Sequence, residues 1–247
     1  MRTLQRTLEN IKISAPLRYG VPLSEYTTFR VGGPAEAMAF PTTPDQLADL
    51  LRAVAAEEEA IPVYVLGGGA NVVVSDRGIR GLVVYTGEMT TVELLDDGIR
   101  AGAGAAISDV SAAAADAERS GLEFIYAMPG TTGGAVWMNA RCYGGEIAGV
   151  LSSVEYVTRD GTPGRYTVRS EEFGYKVSPF QDGSRVITAA RFALERVPGE
   201  SAAMWERMRS IEADRRDKGH FDAPCAGSVF KNDRSYGEPS GKIIDRV

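Results

Sequence analysis

The order of helix and strand patterns in this 247-residue sequence predicts an α+β fold. Apolar residues repeat at helical spacing in three segments, and short β-branched runs between them are joined by turns rich in Gly and Asp. Near Val197 the pattern changes to a single helix, which predicts a domain boundary there. The length suits one large or two medium domains.

Each element has its own signal. The first helix is predicted after Thr43, with Pro44 at its first position and Asp45 in its first turn. Helical spacing also predicts helices over 107–120 and 201–216. Strands are predicted, in chain order, at residues 62–66, 72–74, 82–85, 91–95, 99–103, 150–159, 164–168 and 186–194. The third, fourth and fifth of these are expected to form one meander.

Composition argues against several classes of function. A net charge of −6 disfavours a nucleic-acid partner, because phosphate backbones are held by clustered Lys and Arg. His220 is the only histidine, so we expect it to be a loop residue and expect no metal site. Two cysteines without ligand spacing, no signal peptide and no apolar run of membrane-spanning length predict a soluble, cytoplasmic protein.

Two glycine-rich segments follow apolar runs and lie about sixty residues apart along the chain. They are the first glycine loop, residues 67–72, and the second glycine loop, residues 129–135. Backbone N–H groups of such loops can approach a phosphate because no Cβ intervenes. Each loop alone is equally consistent with a tight structural turn, but two together favour one extended diphosphate ligand lying between them.

The third chemical segment is the serine loop, residues 225–232. It places the Ser228 hydroxyl beside Lys231 and Asn232, shortly after the basic positions Arg215 and Lys218. A hydroxyl that delivers a proton, next to cations that grip phosphate, indicates reduction of an anionic sugar nucleotide. The alternatives are an exposed turn and the solvated end of a helix.

Several motifs occur in one order along the chain and together carry a family resemblance. They are YTTFRVGG at 26–33, VLGGGANV at 65–72, PGTTGGAVWMNA at 129–140, YGGE at 143–146, FGY at 173–175 and AGSVFKN at 226–232. From about residue 20 onward the sequence resembles the short form of the UDP-N-acetylenolpyruvoylglucosamine reductase family, also called UDP-N-acetylmuramate dehydrogenases.

The resemblance implies a particular architecture within the α+β class. It consists of a two-lobed FAD-binding module of the vanillyl-alcohol-oxidase (PCMH) type, followed by a smaller α+β substrate domain. The implied divisions are an N-terminal segment at 1–23, the module at 24–196 with lobes of about 24–85 and 86–196, and a partial substrate domain at 197–247.

The resemblance also implies the reaction, in which NADPH reduces FAD and the flavin then reduces UDP-N-acetylglucosamine enolpyruvate for peptidoglycan synthesis in a bacterial cytoplasm. We expect the FAD to be bound noncovalently, since the module contains no histidine, and we expect a monomer. The implied flavin-binding residues are Tyr64, Gly67, Gly68, Gly69, Ala70, Asn71, Val72, Pro129, Gly130, Thr131, Gly133, Gly134, Ala135, Asn139, Ala140 and Gly144.

Ser228 matches the family's proton donor, and the implied substrate-binding residues are Tyr175, Arg141, Arg215, Lys218, Lys231 and Asn232. The family's arginine for the substrate carboxylate is replaced here by Lys176, which keeps the charge and loses the bidentate fork. We expect Lys176 to act as a catalytic point charge, with Arg141 as the alternative cation.

Two departures from the family, Lys176 and the C-terminal end of the sequence, leave other functions open. Residues 241–247 resemble the start of a longer helix, and the family's second catalytic residue, a glutamate, lies beyond it, so we expect the sequence to be truncated. The alternatives are an FAD-dependent oxidase or dehydrogenase of an alcohol or hydroxy acid, and a catalytically impaired flavin-binding protein. An oxidase needs a general base near the flavin, whereas the serine loop offers an acid.

Overall fold

A computed structural model describes residues 2–11 and 13–247 of the chain. Met1 and Lys12, which belong to the predicted N-terminal segment, lie outside the described residues. The first elements are α1 (Arg2–Asn10), β1 (Leu17–Pro22), β2 (Pro34–Ala39), α2 (Pro44–Ala55), β3 (Val63–Leu66) and β4 (Ile79–Tyr85).

The first four strands form one sheet in the order β1-β2-β4-β3. Strand β1 runs antiparallel to β2, whereas β4 is parallel to both of its neighbours. Strand β1, which lies inside the predicted segment 1–23, pairs along the length of β2.

The following elements are β5 (Val92–Leu95), β6 (Gly98–Gly102), α3 (Ile107–Asp116), β7 (Arg119–Ser120), α4 (Thr132–Met138), β8 (Arg141–Cys142), β9 (Gly145–Glu146), β10 (Leu151–Thr158), β11 (Pro163–Thr167), β12 (Arg185–Ala193), β13 (Glu195–Arg196), α5 (Ser201–Asp217) and α6 (Ser240–Ile244). An antiparallel second sheet has the order β11-β10-β12-β6-β5. Two small ribbons pair β13 with β7 and β8 with β9.

Helix α2 joins the two sheets into one core. Thr43 caps it, since its hydroxyl accepts a hydrogen bond from the Gln46 N–H at 3.2 Å. Its apolar stripe is buried in the same cluster as side chains from both sheets. Each fully buried leucine of this stripe stabilises the packing by about 2 kcal/mol.

Two predicted strand arrangements are wrong. Residues 72–74 form no strand, and Val73 is 68% exposed. Strand β4 is not part of a meander but lies in the first sheet between β2 and β3, where both of its faces are covered. Its continuous apolar run is typical of a central parallel strand, and only the β5–β6 hairpin of the predicted meander is present.

The predicted helices are present, with one changed boundary. Helix α3 ends at Asp116 rather than at residue 120, because Glu118 has a positive φ and the chain then pairs as β7. Helix α5 agrees with the predicted pattern, and Met204 and Met208 pack with Ala115 of α3. Within the described residues, no helix is long and apolar enough to cross a membrane.

Candidate flavin and substrate site

The two glycine loops contact each other directly. A Cβ placed on Gly67 would lie 2.7 Å from Thr131 Oγ1, and one on Gly68 would lie 3.0 Å from the Gly130 Cα. Both distances are shorter than side chains normally allow, so small residues are needed where the loops meet. The loops that the sequence predicts to share one ligand therefore lie side by side.

The segment around Thr28 contacts the backbone of the first glycine loop and supports it. Gly69 has φ +63°, and a Cβ there would lie only 2.1 Å from the Tyr26 carbonyl oxygen. The Thr28 N–H donates to the Gly69 carbonyl oxygen at 3.2 Å. This close backbone approach fixes the loop at the end of strand β3.

A buried hydroxyl without a partner lies at the contact between the loops. Thr131 is 7% exposed, and its Oγ1 has no hydrogen-bond partner. The neighbouring Thr132 hydroxyl, in contrast, donates to the Ala105 carbonyl oxygen at 3.0 Å. Buried polar atoms are normally satisfied, so Thr131 Oγ1 fits a ligand that accepts a hydrogen bond, such as the pyrophosphate of FAD.

The serine loop crosses the first glycine loop. Thr28 Oγ1 donates to the Cys225 carbonyl oxygen at 2.5 Å, and the Cys225 N–H donates to the Thr28 carbonyl oxygen at 3.2 Å. A Cβ on Gly227 would lie 3.3 Å from Asn71 Oδ1. Thr28 thus connects the serine loop to the first glycine loop. Ser228, the residue after Gly227, is exposed.

A tight turn holds Lys176 near the end of α4. Lys176 has φ +58°, and Gly174 and Val177 exchange backbone hydrogen bonds across the turn. The Asn139 amide donates to the Gly174 carbonyl oxygen at 3.0 Å, and the Gln181 amide donates to the Lys176 carbonyl oxygen at 3.0 Å. The turn is therefore fixed from two sides.

The basic positions at the end of α5 differ in their surroundings. Arg215 is 7% exposed, so the interpretation as a solvated helix end is wrong for this residue. Its neighbour Arg216 does face solvent and pairs with Glu212 at 2.6 Å. Lys218 Nζ donates to Asp214 Oδ2 at 2.6 Å, and Tyr143 donates to the same oxygen.

The other predicted site residues are distributed more widely. Tyr64 is exposed on edge strand β3, and Arg141 is exposed on β8. Asn139 is almost fully buried. Its side-chain N–H donates to the Gly174 carbonyl oxygen and its side-chain oxygen accepts from the Ala148 N–H, so these bonds give no support to the predicted flavin contact. The Asn232 oxygen accepts from the Ser240 N–H at 2.9 Å.

Three residues that sequence reasoning did not assign contribute to the site. Thr28 links two loops, Gln181 fixes the turn at Lys176, and Tyr143 contacts the end of α5. Thr28 and Tyr143 lie inside the motifs that carry the family resemblance, and their presence in those motifs could have indicated a role in the site. Gln181 follows the FGY motif by several residues and carried no signal.

The two-lobed fold and the paired glycine loops define an FAD-binding flavoprotein. Residues 35–165 match the family described as an FAD binding domain. The chain belongs to the UDP-N-acetylenolpyruvoylglucosamine reductase family. It is 43% identical to the member from Lactobacillus delbrueckii subsp. bulgaricus over 228 residues, which are 92% of this chain and 73% of that protein. It is 34% identical to the member from Borreliella burgdorferi, over 99% of this chain and 79% of the relative.

Solved structures agree with this assignment. The crystal structure of UDP-N-acetylenolpyruvylglucosamine reductase from Thermus caldophilus matches with a TM-score of 0.75 and 33% identity, over 95% of this chain and 80% of that one. The 6-hydroxy-D-nicotine oxidase of Arthrobacter nicotinovorans matches with a TM-score of 0.60 and 18% identity, over 76% of this chain and 43% of that one. The second likeness concerns the fold alone, and the prediction of a PCMH-type α+β flavoprotein is confirmed.

Proposed function

We propose that this chain reduces UDP-N-acetylglucosamine enolpyruvate to UDP-N-acetylmuramate, with NADPH as reductant and FAD bound noncovalently. The observation that carries the proposal is the seating of the serine loop across the first glycine loop through Thr28. This contact supports the proposed position of the proton donor, Ser228, beside the candidate flavin site. The proposal includes a monomeric protein acting in the bacterial cytoplasm.

The two glycine loops would hold the FAD pyrophosphate, and Thr131 Oγ1 would donate a hydrogen bond to it. FAD, when bound, supplies the hydride that passes from NADPH to the enolpyruvyl group. The protein's own contribution here is a backbone cradle that carries no net charge. Such a cradle suits a chain with net charge −6, because the anion needs no cluster of cations.

Ser228 is the proposed proton donor to C2 of the enolpyruvyl ether, after hydride has reached C3. An alcohol is a weak acid in water, but the carbon that it protonates is strongly basic at that stage. The Ser228 alkoxide needs support from neighbouring polar groups, and Lys231 is the nearest cation along the loop. The side chain of Ser228 is exposed and is therefore accessible to a substrate.

Lys176 is the proposed partner of the substrate carboxylate, with Arg141 as the alternative. Hydride addition pushes electron density into that carboxylate, so a fixed cation there lowers the barrier. Lys176 lies on the turn that Asn139 and Gln181 fix. Arg141 lies on β8 and makes no ion pair in the part of the chain that the structure describes. The rigid support favours Lys176.

The remaining cations are proposed to hold the substrate diphosphate. Arg215 and Lys218 lie together at the end of α5, and Lys231 and Asn232 end the serine loop. Tyr175 is exposed beside Lys176 and offers a ring and a hydroxyl. The proposed domain division near Val197 would separate Arg215, Lys218, Lys231 and Asn232, but not Tyr175, from the flavin module.

Absorbance spectra of the purified chain test the proposed function in half-reactions. The FAD-loaded protein should bleach with NADPH and recover its colour when UDP-N-acetylglucosamine enolpyruvate is added. Ser228→Ala should bleach normally, and substrate should restore its colour about 100-fold or more slowly, as expected for loss of a general acid. Ser210→Ala, on the exposed face of α5, is the matched control and should behave as the unaltered chain.

Three results would contradict the proposal or one of its parts. A chain that cannot be loaded with FAD would overturn the flavin assignment. Bleaching by an alcohol or hydroxy acid in the absence of NADPH would favour an oxidase instead. Normal recovery of colour in Ser228→Ala would remove Ser228 from its proposed role.

A further inference from the structure

A hairpin tip from the flavin module meets the end of helix α5. Tyr143 lies in the turn between β8 and β9, with φ +46°. Its hydroxyl donates to Asp214 Oδ2 at 2.6 Å, and Lys218 Nζ donates to the same oxygen at 2.6 Å. One carboxylate oxygen therefore joins the hairpin to a cation of the proposed substrate domain.

The ring of Tyr143 is also close to two cations. The Arg215 guanidinium carbon lies 5.6 Å from the ring centroid, and Lys218 Nζ lies 5.9 Å from it. Both distances fall within cation–π range, so the electron-rich ring attracts both side chains. The hydroxyl and the ring of Tyr143 thus act on the same pair of cations.

Arg215 retains an unused donor in this cluster. It is more than nine-tenths buried, its Nε has no hydrogen-bond partner, and it has no carboxylate partner among the described residues. Its other near polar contacts are His220 Nδ1, 3.5 Å from Nη1, and the Cys142 thiol. A buried guanidinium without an anion is costly, so it indicates that an anion from outside the chain completes the cluster.

Tyr143 remains a donor over a wide pH range. Burial and the hydrogen bond to Asp214 raise the pKa of Tyr143 to about 12. Hydrogen bonds from Lys218 and Tyr143 lower the pKa of Asp214. The contact is therefore a neutral phenol that donates to a carboxylate at neutral pH.

We infer that Tyr143 is a positioning residue for the substrate diphosphate: its hydroxyl anchors Asp214, and its ring aligns Arg215 and Lys218 so that both cations face one anion. The inference rests on the proposed function, because it concerns that function's substrate. A planar guanidinium and an ammonium suit two neighbouring phosphate groups. Tyr143 reaches the phosphates only through these side chains.

Binding of UDP to the FAD-loaded chain, measured by calorimetry, tests the inference. Tyr143→Phe keeps the ring and removes the anchoring hydroxyl, so UDP should bind about threefold to tenfold more weakly. Uridine, which lacks phosphates, should bind equally to both proteins. Tyr166→Phe is the matched control, because the Tyr166 hydroxyl also donates to a carboxylate, Glu172, at 2.8 Å. That variant should bind UDP normally.

A double variant separates positioning from general destabilisation. If Tyr143 acts through the cations, Tyr143→Phe should weaken UDP binding less in a Lys218→Ala background than in the unaltered chain. Equal UDP affinity in Tyr143→Phe and the unaltered protein, or fully additive effects in the double variant, would overturn the inference alone. Failure of the unaltered FAD-loaded chain to bind UDP would overturn the proposed substrate together with it.

Discussion

Thr131 and Thr132 are adjacent buried threonines with opposite hydrogen-bonding states. The Thr132 hydroxyl is satisfied by the Ala105 carbonyl oxygen, whereas Thr131 Oγ1 has no partner in the protein. An unsatisfied buried hydroxyl costs stability until a ligand reaches it. The same atom therefore weakens the empty fold and strengthens the complex.

Substitution of each threonine by valine should separate these effects. Thr131→Val should leave the unfolding free energy of the flavin-free protein unchanged or raise it by up to about 1 kcal/mol, and should weaken FAD binding about tenfold. Thr132→Val should lower the unfolding free energy by about 1 kcal/mol. Urea denaturation and FAD titration are the measurements. Loss of stability in Thr131→Val would show that its hydroxyl has a protein partner.

At the scale of elements, the shape of the first glycine loop depends on one residue without a side chain. Gly69 combines a left-handed backbone with a close approach to the Tyr26 carbonyl oxygen. Gly20, on strand β1, has the same φ of +63° but nothing within 4 Å of a Cβ. The two positions share this φ and differ in the space available to a Cβ.

Alanine substitutions at Gly69 and Gly20 measure how much stability the close contact at Gly69 would cost a side chain. Gly20→Ala should destabilise the protein by about 1–2 kcal/mol through backbone strain alone. Gly69→Ala should cost roughly 1–3 kcal/mol more, since the loop must move away from residues 26–28. The urea midpoints of the flavin-free proteins give the comparison. Equal midpoints would mean that the loop adjusts freely.

Periodicity in the sequence predicted some elements correctly and others wrongly. Helices α2 and α5 carry caps or apolar stripes, and their predicted ranges agree with the structure. The run at residues 72–74 is equally β-branched, yet it finds no partner strand, and Val72 and Val73 stay exposed. Strand β4 was predicted but assigned to the wrong sheet, because a local pattern does not specify which strands pair.

At the scale of the whole molecule, helix α5 is attached to the flavin module by a small set of contacts. Arg207 pairs with Glu123 at 2.7 Å, and Trp205 Nε1 donates to Asp116 at 2.7 Å. Burial alone would raise the pKa of Glu123, but hydrogen bonds from Arg207, the Gly121 N–H and Ser120 outweigh it, and the pKa is lowered. This ion pair is therefore sensitive to acid.

Glu123→Gln should lower stability at pH 7 and reduce its dependence on pH. The lowered pKa means that the carboxylate's contribution is complete above its unfolded pKa of ~4.3 and is lost as the pH falls through the folded value. The difference from the unaltered protein should thus shrink in acid. Thermal unfolding at several pH values measures it, and a gap that is constant with pH would refute the assignment. Glu206→Gln, at an exposed position of α5, should change stability little at pH 7.

The sequence predicted the segments that form the site better than the contacts that join them. Both glycine loops, Lys176 and the serine loop were assigned from motifs, and the two glycine loops and the serine loop contact one another. The hydrogen bond from Tyr143 to Asp214 joins residues far apart in the chain and follows no spacing rule. Burial of Arg215 could not be predicted either, because it stands in a run of charged residues that is typical of a solvated helix end.

The pairing of β12 with β6 has a consequence for the order of folding during synthesis. All strands of the first sheet lie between Leu17 and Tyr85, so they can pair early as the chain emerges. Strand β6, which ends at Gly102, must wait for β12, which begins at Arg185. Long-range pairing of this kind is slow and leaves strand edges exposed in the meantime. A ribosome that pauses before Ala193 would therefore hold an incomplete second lobe that is prone to aggregation.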